Sequence, residues 1–116
     1  MIRRSEEINE RRVQNARGGD NEVNFYDWMS PEDAKGHGRL FSKLVIPPGA
    51  SIGYHEHSEE FEAFYVICGE ATLNDNGKEE VLKAGDMAIC KDGDGHSVRN
   101  NGSDDLVMIA MIMNTL

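Results

Sequence analysis

The chain has 116 residues, which is enough for one hydrophobic core and too few for a second independently folding unit. Its 21 acidic residues outnumber its 12 Lys and Arg residues, for a formal net charge of -9. Such a surface repels phosphate backbones and anionic lipids. We therefore expect neither nucleic acid nor membranes as partners.

Cellular location is predicted from the N-terminus and the cysteines. Residues 1–7 lack the apolar stretch of a signal peptide, and no apolar run is long enough to cross a bilayer. Cys68 and Cys90 each lie in an apolar segment, where a reduced cysteine behaves as a small hydrophobic residue. The sequence predicts a soluble, cytoplasmic protein with both cysteines in its core.

The N-terminal part carries weak structural signals. Residues 3–12 are almost wholly polar and predict a short solvated helix or arm, with Ser5 as a candidate helix cap. A turn signal at residues 18–21 precedes a predicted first strand at 23–28, which Ser30 and Pro31 end.

The remainder of the chain reads as a succession of short strands. Asn76 and Gly77 form the pair that favours a tight hairpin. Eight runs of strand type are separated by Gly, Pro, Asn and Asp clusters, a pattern typical of a sandwich or barrel: residues 39–46, 51–57, 62–68, 71–73, 80–82, 87–90, 96–100 and 106–113. The fold class predicted is all-β.

Three histidines and one glutamate form a candidate metal site. His55 and His57 are two residues apart in a predicted strand, so both imidazoles should share one face. Glu62 opens the next run, and His96 opens a later one. Nitrogen and oxygen ligands of this kind suit Mn, Fe, Ni, Zn or Cu(II), and four of them leave coordination positions open.

The same residues carry a resemblance to a known family. The spacing of Gly49, His55, His57, Glu62 and Gly69 fills every fixed position of the first motif of the cupin superfamily. The chain resembles in particular small single-domain bacterial cupins that are often described as oxalate-decarboxylase-like.

The second cupin motif matches with one departure. Gly85, Gly93, His96 and Asn100 occupy its positions, and Lys91 stands where the family usually has proline. Because proline would stiffen the turn that leads to His96, its replacement puts the rigidity of that turn in question.

The resemblance implies a double-stranded β-helix, or jelly roll, in a single domain of residues 1–116, with an N-terminal arm at 1–22 and a barrel core at 39–113. It also implies one divalent metal ion per chain, held by the ligand set proposed above, a small organic acid as the ligand and a homodimer. The apolar residues Val23, Phe25 and Trp28, which follow the arm, are expected to be buried between the subunits.

Several neighbouring residues are given ordinary roles. His37 lies between two glycines and is expected to be a loop histidine. Glu56, Glu59 and Glu60 are interpreted as solvated loop carboxylates. Small side chains at Ser51 and Gly53 are expected to leave room above the metal, with Phe64 and Val66 as apolar walls. Arg39 and Lys43 are each expected on the strand surface, unless one enters the barrel and serves as a carboxylate anchor.

The reaction type is open at this stage, and no catalytic residue is assigned. A decarboxylase-like enzyme, a metal-dependent dioxygenase, a sugar-type isomerase and a metal-dependent binding or sensing module without chemistry all fit the predicted site.

Overall fold

The computed structural model describes residues 1–115 as an almost entirely β protein. Short 3-10 turns occur at Ser5–Glu7 and Ala16–Gly18. The ten strands are β1 (Glu10–Gln14), β2 (Glu22–Asp27), β3 (Gly38–Ile46), β4 (Ser51–Glu56), β5 (Glu60–Cys68), β6 (Glu70–Asp75), β7 (Lys78–Lys83), β8 (Met87–Cys90), β9 (Gly95–Arg99) and β10 (Leu106–Asn114).

The strands form two antiparallel sheets. One has six strands in the order β1-β2-β3-β10-β5-β8, and the other has four in the order β4-β9-β6-β7. This arrangement confirms the predicted all-β jelly roll. The predicted tight hairpin is also present between β6 and β7, where Asn76 and Gly77 both have positive φ angles of 51° and 98°.

The core lies between the two sheets and follows the period-2 alternation of the strands. In β3 and β10 alternate residues are buried, so each strand turns one row of side chains inward. The largest fully buried apolar side chains are Phe64, Leu44, Ile46, Leu106, Met108, Val23, Val66 and Val98.

The N-terminal region differs from the prediction of a solvated helix or arm. Strand β1 pairs with β2, and Val13 lies opposite the fully buried Val23. Arg11 lies opposite Phe25, 4.3 Å above its ring. Ser5 is the first residue of a 3-10 turn rather than its cap. The polar side chains of β1 are used in cross-strand contacts, which a hydrophobic pattern does not reveal.

The apolar residues of this region pack within their own chain. Val23 lies in the core, and Phe25 packs against that core. Trp28 makes an edge-to-face contact with Phe41, with 5.2 Å between ring centroids. Their burial therefore does not require a second subunit, so the reason first given for a dimer fails.

The two cysteines have different environments. Cys90 is buried as predicted, and burial raises the pKa of its thiol to about 11. Cys68 is exposed at the end of β5, so the prediction that it is a core residue is wrong. Within residues 1–115, no helix has the length and apolar character needed to span a bilayer.

Candidate metal centre

The four predicted ligands, His55, His57, Glu62 and His96, lie together between the two sheets. We call this cluster the metal floor. His55 of β4 lies directly opposite His96 of β9. Glu62 lies on β5, opposite Ile112 of β10. His57 follows β4, where its backbone N–H donates to Asp94 O (3.0 Å).

An irregularity in β4 sets the direction of His55. Ile52 pairs with Val98 and His55 with His96, so β4 contains one more residue than β9 over this stretch. Such a bulge re-aims the residues beside it. As a result Ile52 and His55 line the same cavity, although strict alternation would have separated them.

The four side chains converge on one point. His96 Nε2 lies 2.8 Å from Glu62 Oε1, 3.2 Å from His55 Nε2 and 3.2 Å from His57 Nε2. His57 Nε2 lies 3.1 Å from Glu62 Oε1, and His55 Nε2 lies 3.7 Å from the same oxygen. One atom from each residue falls within 4.8 Å of all the others.

These separations fit a metal ion. Two ligand atoms that are each about 2.1 Å from an ion lie about 3.0 Å apart at a right angle and about 3.4 Å apart at a tetrahedral angle. Three Nε2 atoms facing one another need protons or a cation between them, since lone pairs repel. The cluster can therefore hold a metal ion.

The outward-facing ring nitrogens fix two of the tautomers. His55 Nδ1 lies 2.8 Å from the carbonyl oxygen of Gly53. Because a carbonyl only accepts, His55 Nδ1 must carry a proton, which leaves the Nε2 lone pair free. His57 Nδ1 lies 2.5 Å from Glu60 Oε2 and donates to that carboxylate. The ring of His96 is held by Phe64, stacked on it at 4.9 Å.

Glu60 is therefore not the solvated carboxylate that the sequence predicted. The Arg39 guanidinium forms two hydrogen bonds with it, at 2.9 and 2.8 Å. Those bonds and the His57 contact lower the pKa of Glu60 to about 2, against the opposing effect of its burial. Glu56 and Glu59 are exposed, as expected. The sequence signal for Glu60 was its position three residues after His57, but three neighbouring glutamates share that segment.

The charges of the cluster suit a cation. Burial raises the pKa of Glu62, but hydrogen bonds with His55, His57 and His96 outweigh it and leave that pKa well below its usual range. Glu62 raises the pKa of His57, burial opposes this, and Glu60 adds to the rise. An ionised carboxylate is ready to bind a metal, and the raised pKa of His57 means that protons compete with a metal for its Nε2 lone pair.

The turn before His96 is well held despite Lys91. Asp94 N–H donates to Lys91 O at 3.0 Å, and Gly93 N–H donates to His57 O at 2.7 Å. The latter bond ties the loop to the metal floor directly. The loss of rigidity considered for this turn is offset by these backbone bonds.

A cavity of about 290 Å³ opens above His55 and Glu62. Its apolar walls come from both sheets and from the N-terminal region: Val13, Ala16, Phe25, Leu40, Leu44, Ile52 and Ile112. Phe64 and Val66, the walls expected from sequence, lie in the core instead. Arg11, Arg17 and Arg39 complete the lining.

The two basic residues on β3 take different places. Arg39 falls in an irregular part of β3, between the pairs Gly38↔Met113 and Leu40↔Ile112, and reaches the cavity. Lys43 lies 4.5 Å from the centre of the Tyr26 ring, away from the cavity. His37 is exposed and outside the cluster.

Comparison with known proteins identifies the family. The cupin domain model matches residues 42–112. An oxalate-binding protein of Thermotoga maritima is 42% identical over 113 residues, which are 97% of this chain and 93% of that protein. The chain belongs to the cupin family.

Solved structures support the same assignment. The crystal structure of a Thermotoga maritima protein described as a predicted oxalate decarboxylase has a TM-score of 0.93 and 41% identity, covering 98% of this chain and 99% of that one. A cupin-superfamily sugar phosphate isomerase of Silicibacter pomeroyi has a TM-score of 0.78 and 20% identity, covering 99% and 76%. At that identity the second likeness concerns the fold alone.

Proposed function

We propose that His55, His57, Glu62 and His96 bind one divalent metal ion and that a small organic acid occupies its open positions. The observation that carries this proposal is the convergence of three Nε2 atoms and one carboxylate oxygen below an apolar-walled cavity. When bound, the metal would supply a Lewis acid for a carboxylate oxygen. The four side chains would hold that ion, and His55 and Glu62 among them line the cavity in which the acid would bind.

Oxalate is the first ligand to examine. The Thermotoga relative, at 42% identity, is described as an oxalate-binding protein. The cavity volume of about 290 Å³ lies at the lower end of the range for small-molecule sites. Arginines at the cavity are suited to carboxylate recognition.

Ligand binding is the activity that this cavity supports best. The protonatable side chains that line it are three arginines and two of the proposed ligands, His55 and Glu62. None of these offers a separate acid to donate a proton, as decarboxylation requires. Decarboxylation of the bound acid is the second candidate, favoured by the solved relative described as a predicted oxalate decarboxylase.

The proposal is tested by reconstitution with Mn, Fe, Ni or Zn, followed by plasma mass spectrometry and by calorimetry with oxalate. We expect one ion per chain, and oxalate binding only in the metal-loaded form. The intrinsic affinity order favours Ni and Zn over Mn and Fe, so each metal is assayed separately. Absence of stoichiometric metal after supplementation, or oxalate binding that is equal without metal, would contradict the proposal. Release of carbon dioxide from oxalate would establish the second candidate.

We also propose that residues 1–116 form a single domain and that two chains form a homodimer. The outer face of β5 and β8 exposes Tyr65, Ile67, Met87 and Ile89, each with 43 to 52% of its surface accessible. A contiguous apolar face of this kind is typical of an interface. Sedimentation of the wild type should give about twice the chain mass of 12.9 kDa. The Ile89→Glu variant should give a mass closer to that of the single chain. A monomeric wild type at micromolar concentration would contradict the dimer.

A further inference from the structure

The three arginines of the cavity differ in their partners. Arg11 makes two hydrogen bonds to Asp27, at 2.8 and 3.1 Å. Arg39 is paired in the same two-pronged way with Glu60. Within residues 1–115, the Arg17 guanidinium forms neither an ion pair nor a hydrogen bond. Arg17 is therefore the cavity arginine with its charge available to a ligand.

The backbone that presents Arg17 has a costly conformation. Arg17 has φ 52° and ψ 31°. These angles lie in the left-handed region, which residues other than glycine, asparagine and aspartate rarely adopt. Asn15, two residues earlier, is also left-handed, and its side-chain amide donates to Gly19 O at 2.9 Å. Strain of this kind is often found at ligand sites, where the surrounding structure maintains it.

Two glycines press this turn against the strand that carries His55. A Cβ atom added to Gly53 would lie 2.2 Å from Arg17 O, and one added to Gly19 would lie 2.3 Å from Ser51 O. Only glycine permits such an approach. The space that sequence analysis assigned to the metal pocket above Ser51 and Gly53 is filled by the Arg17–Gly19 backbone.

This contact links Arg17 to the metal floor. Gly53 touches the Arg17 carbonyl on one side, and its own carbonyl oxygen accepts a hydrogen bond from His55 Nδ1–H. Ser51 adds a second fastening, because its Oγ accepts from Asp20 N–H at 2.8 Å. The position of Arg17 relative to His55 is thus set by rigid backbone.

We propose that Arg17 is the anchor for an anionic ligand of the metal and that it selects dianions, such as short dicarboxylates, over monoanions. This inference rests on the proposed function. A divalent ion offset by ionised Glu62 leaves one net positive charge, and Arg17 adds a second. The pairs Arg11–Asp27 and Arg39–Glu60 add none. The charge of the site then matches a dicarboxylate.

The test measures calorimetric affinities of the metal-loaded protein for oxalate and glycolate. Both form the same size of chelate ring, but glycolate carries one negative charge. Arg17→Gln should weaken oxalate binding by about 10- to 100-fold, as expected for loss of a charge-assisted pair. Glycolate binding should change by less than about 3-fold. Arg17→Lys should give an intermediate loss, because it keeps the charge without the planar fork.

Two further variants separate binding from structure. Arg12→Gln removes the same charge from β1 at an exposed residue that does not line the cavity, and should leave both affinities unchanged. Arg17→Gly relieves the left-handed backbone, so its Tm should equal or exceed that of wild type while oxalate affinity falls. Metal content should stay at wild-type level in all of these variants.

Each outcome decides the matter. If wild type binds oxalate and Arg17→Gln binds it equally well, or if Arg12→Gln loses as much affinity, the anchor is wrong and the proposed function stands. Equal losses for oxalate and glycolate would overturn the selection of dianions. If metal-loaded wild type binds neither acid, the proposed function fails and the anchor fails with it.

Discussion

The floor and the mouth of the cavity are built in opposite ways. The floor consists of the buried side chains of His57, Glu62 and His96 with the half-buried His55, and the pair His55 and His96 is fixed by the register of β4 and β9. The mouth consists of three exposed arginines, Arg11 and Arg17 of the N-terminal region and Arg39 at the start of β3. Two of these arginines are each paired with one carboxylate, Arg39 with Glu60 and Arg11 with Asp27, and do not converge on a common point.

The floor and the mouth therefore have different expected roles: the floor binds the metal ion, and the mouth selects the ligand of that ion. A floor of convergent ligands determines whether an ion can be held, and small displacements there affect every ligand at once. The mouth determines which molecule approaches that ion, through charges that can be changed one at a time. Variants of the floor should therefore alter metal affinity, whereas variants of the mouth should alter ligand affinity alone.

The largest expected effect comes from removing a ligand at the floor. His57→Ala eliminates one of the four proposed donors and should lower metal affinity by more than about 100-fold, beyond the range for residues that only orient ligands. Plasma mass spectrometry after dialysis measures the metal retained.

His37→Ala is the matched control, since His37 is exposed and outside the cluster. It should retain metal as wild type does. Glu62→Gln should lose metal as well, because it keeps the size of the side chain but removes the charge that offsets the cation. Equal metal retention by His57→Ala and His37→Ala would overturn the proposed ligand set.

A smaller effect is expected where the floor and the mouth meet, at Glu60. Glu60→Gln weakens the contact that orients His57 and leaves Arg39 without its carboxylate. Metal affinity should fall by about 10- to 100-fold, the usual range for a partner that orients a ligand. Glu59→Gln removes an exposed neighbouring charge and should have little effect. Identical metal affinities in the two variants would show that the His57–Glu60 contact has no role in binding.

The smallest expected effect is the pH dependence of metal stabilisation. In the metal-free protein the pKa of His57 is raised, mainly by Glu62. A raised pKa means that the protonated ring of His57 stabilises the folded metal-free protein. This contribution is fully present below the unfolded histidine pKa of about 6.5 and is lost as pH rises through the higher folded pKa. Metal binding requires the neutral ring and strengthens over the same range, by up to about tenfold per pH unit for each proton displaced.

We therefore expect the rise in Tm on adding metal to increase between about pH 6 and pH 8. Thermal scans of matched metal-free and metal-loaded samples measure it, with His37→Ala as the control for titration outside the site. A rise in Tm that is constant across this range would contradict competition between protons and metal.

Much of the barrel could be predicted because its signals are local. Strand β8 was predicted with the bounds that the structure gives, and the other barrel strands differ by one to three residues at their ends. The tight turn at Asn76 and Gly77 was equally evident. The four residues of the cluster were predicted to meet, and the structure brings them together. The spacing of His55 and His57 predicts a shared face, and the two cupin motifs add Glu62 and His96 to them.

The parts that could not be predicted depend on pairings that neither periodicity nor a motif indicates. Strand β1 has one apolar residue, Val13, and is held by pairing with β2. Glu60 looks like its neighbours until Arg39, 21 residues earlier, is placed beside it. The bulge between Ile52 and His55 becomes visible only when β4 is paired with β9. Each of these features requires a contact that periodicity does not encode.

The position of β10 in the six-stranded sheet has a consequence for synthesis. Strands β3 and β5 do not pair with each other, because β10 lies between them and pairs with both. Until residues 106–114 are synthesised, a nascent chain has two unpaired strand edges and an incomplete floor for Glu62. Such edges invite pairing with other chains. A ribosome that stalls before Leu106 would therefore leave an aggregation-prone intermediate. Insertion of β10 between β3 and β5 would close the barrel and complete the metal site in the same step.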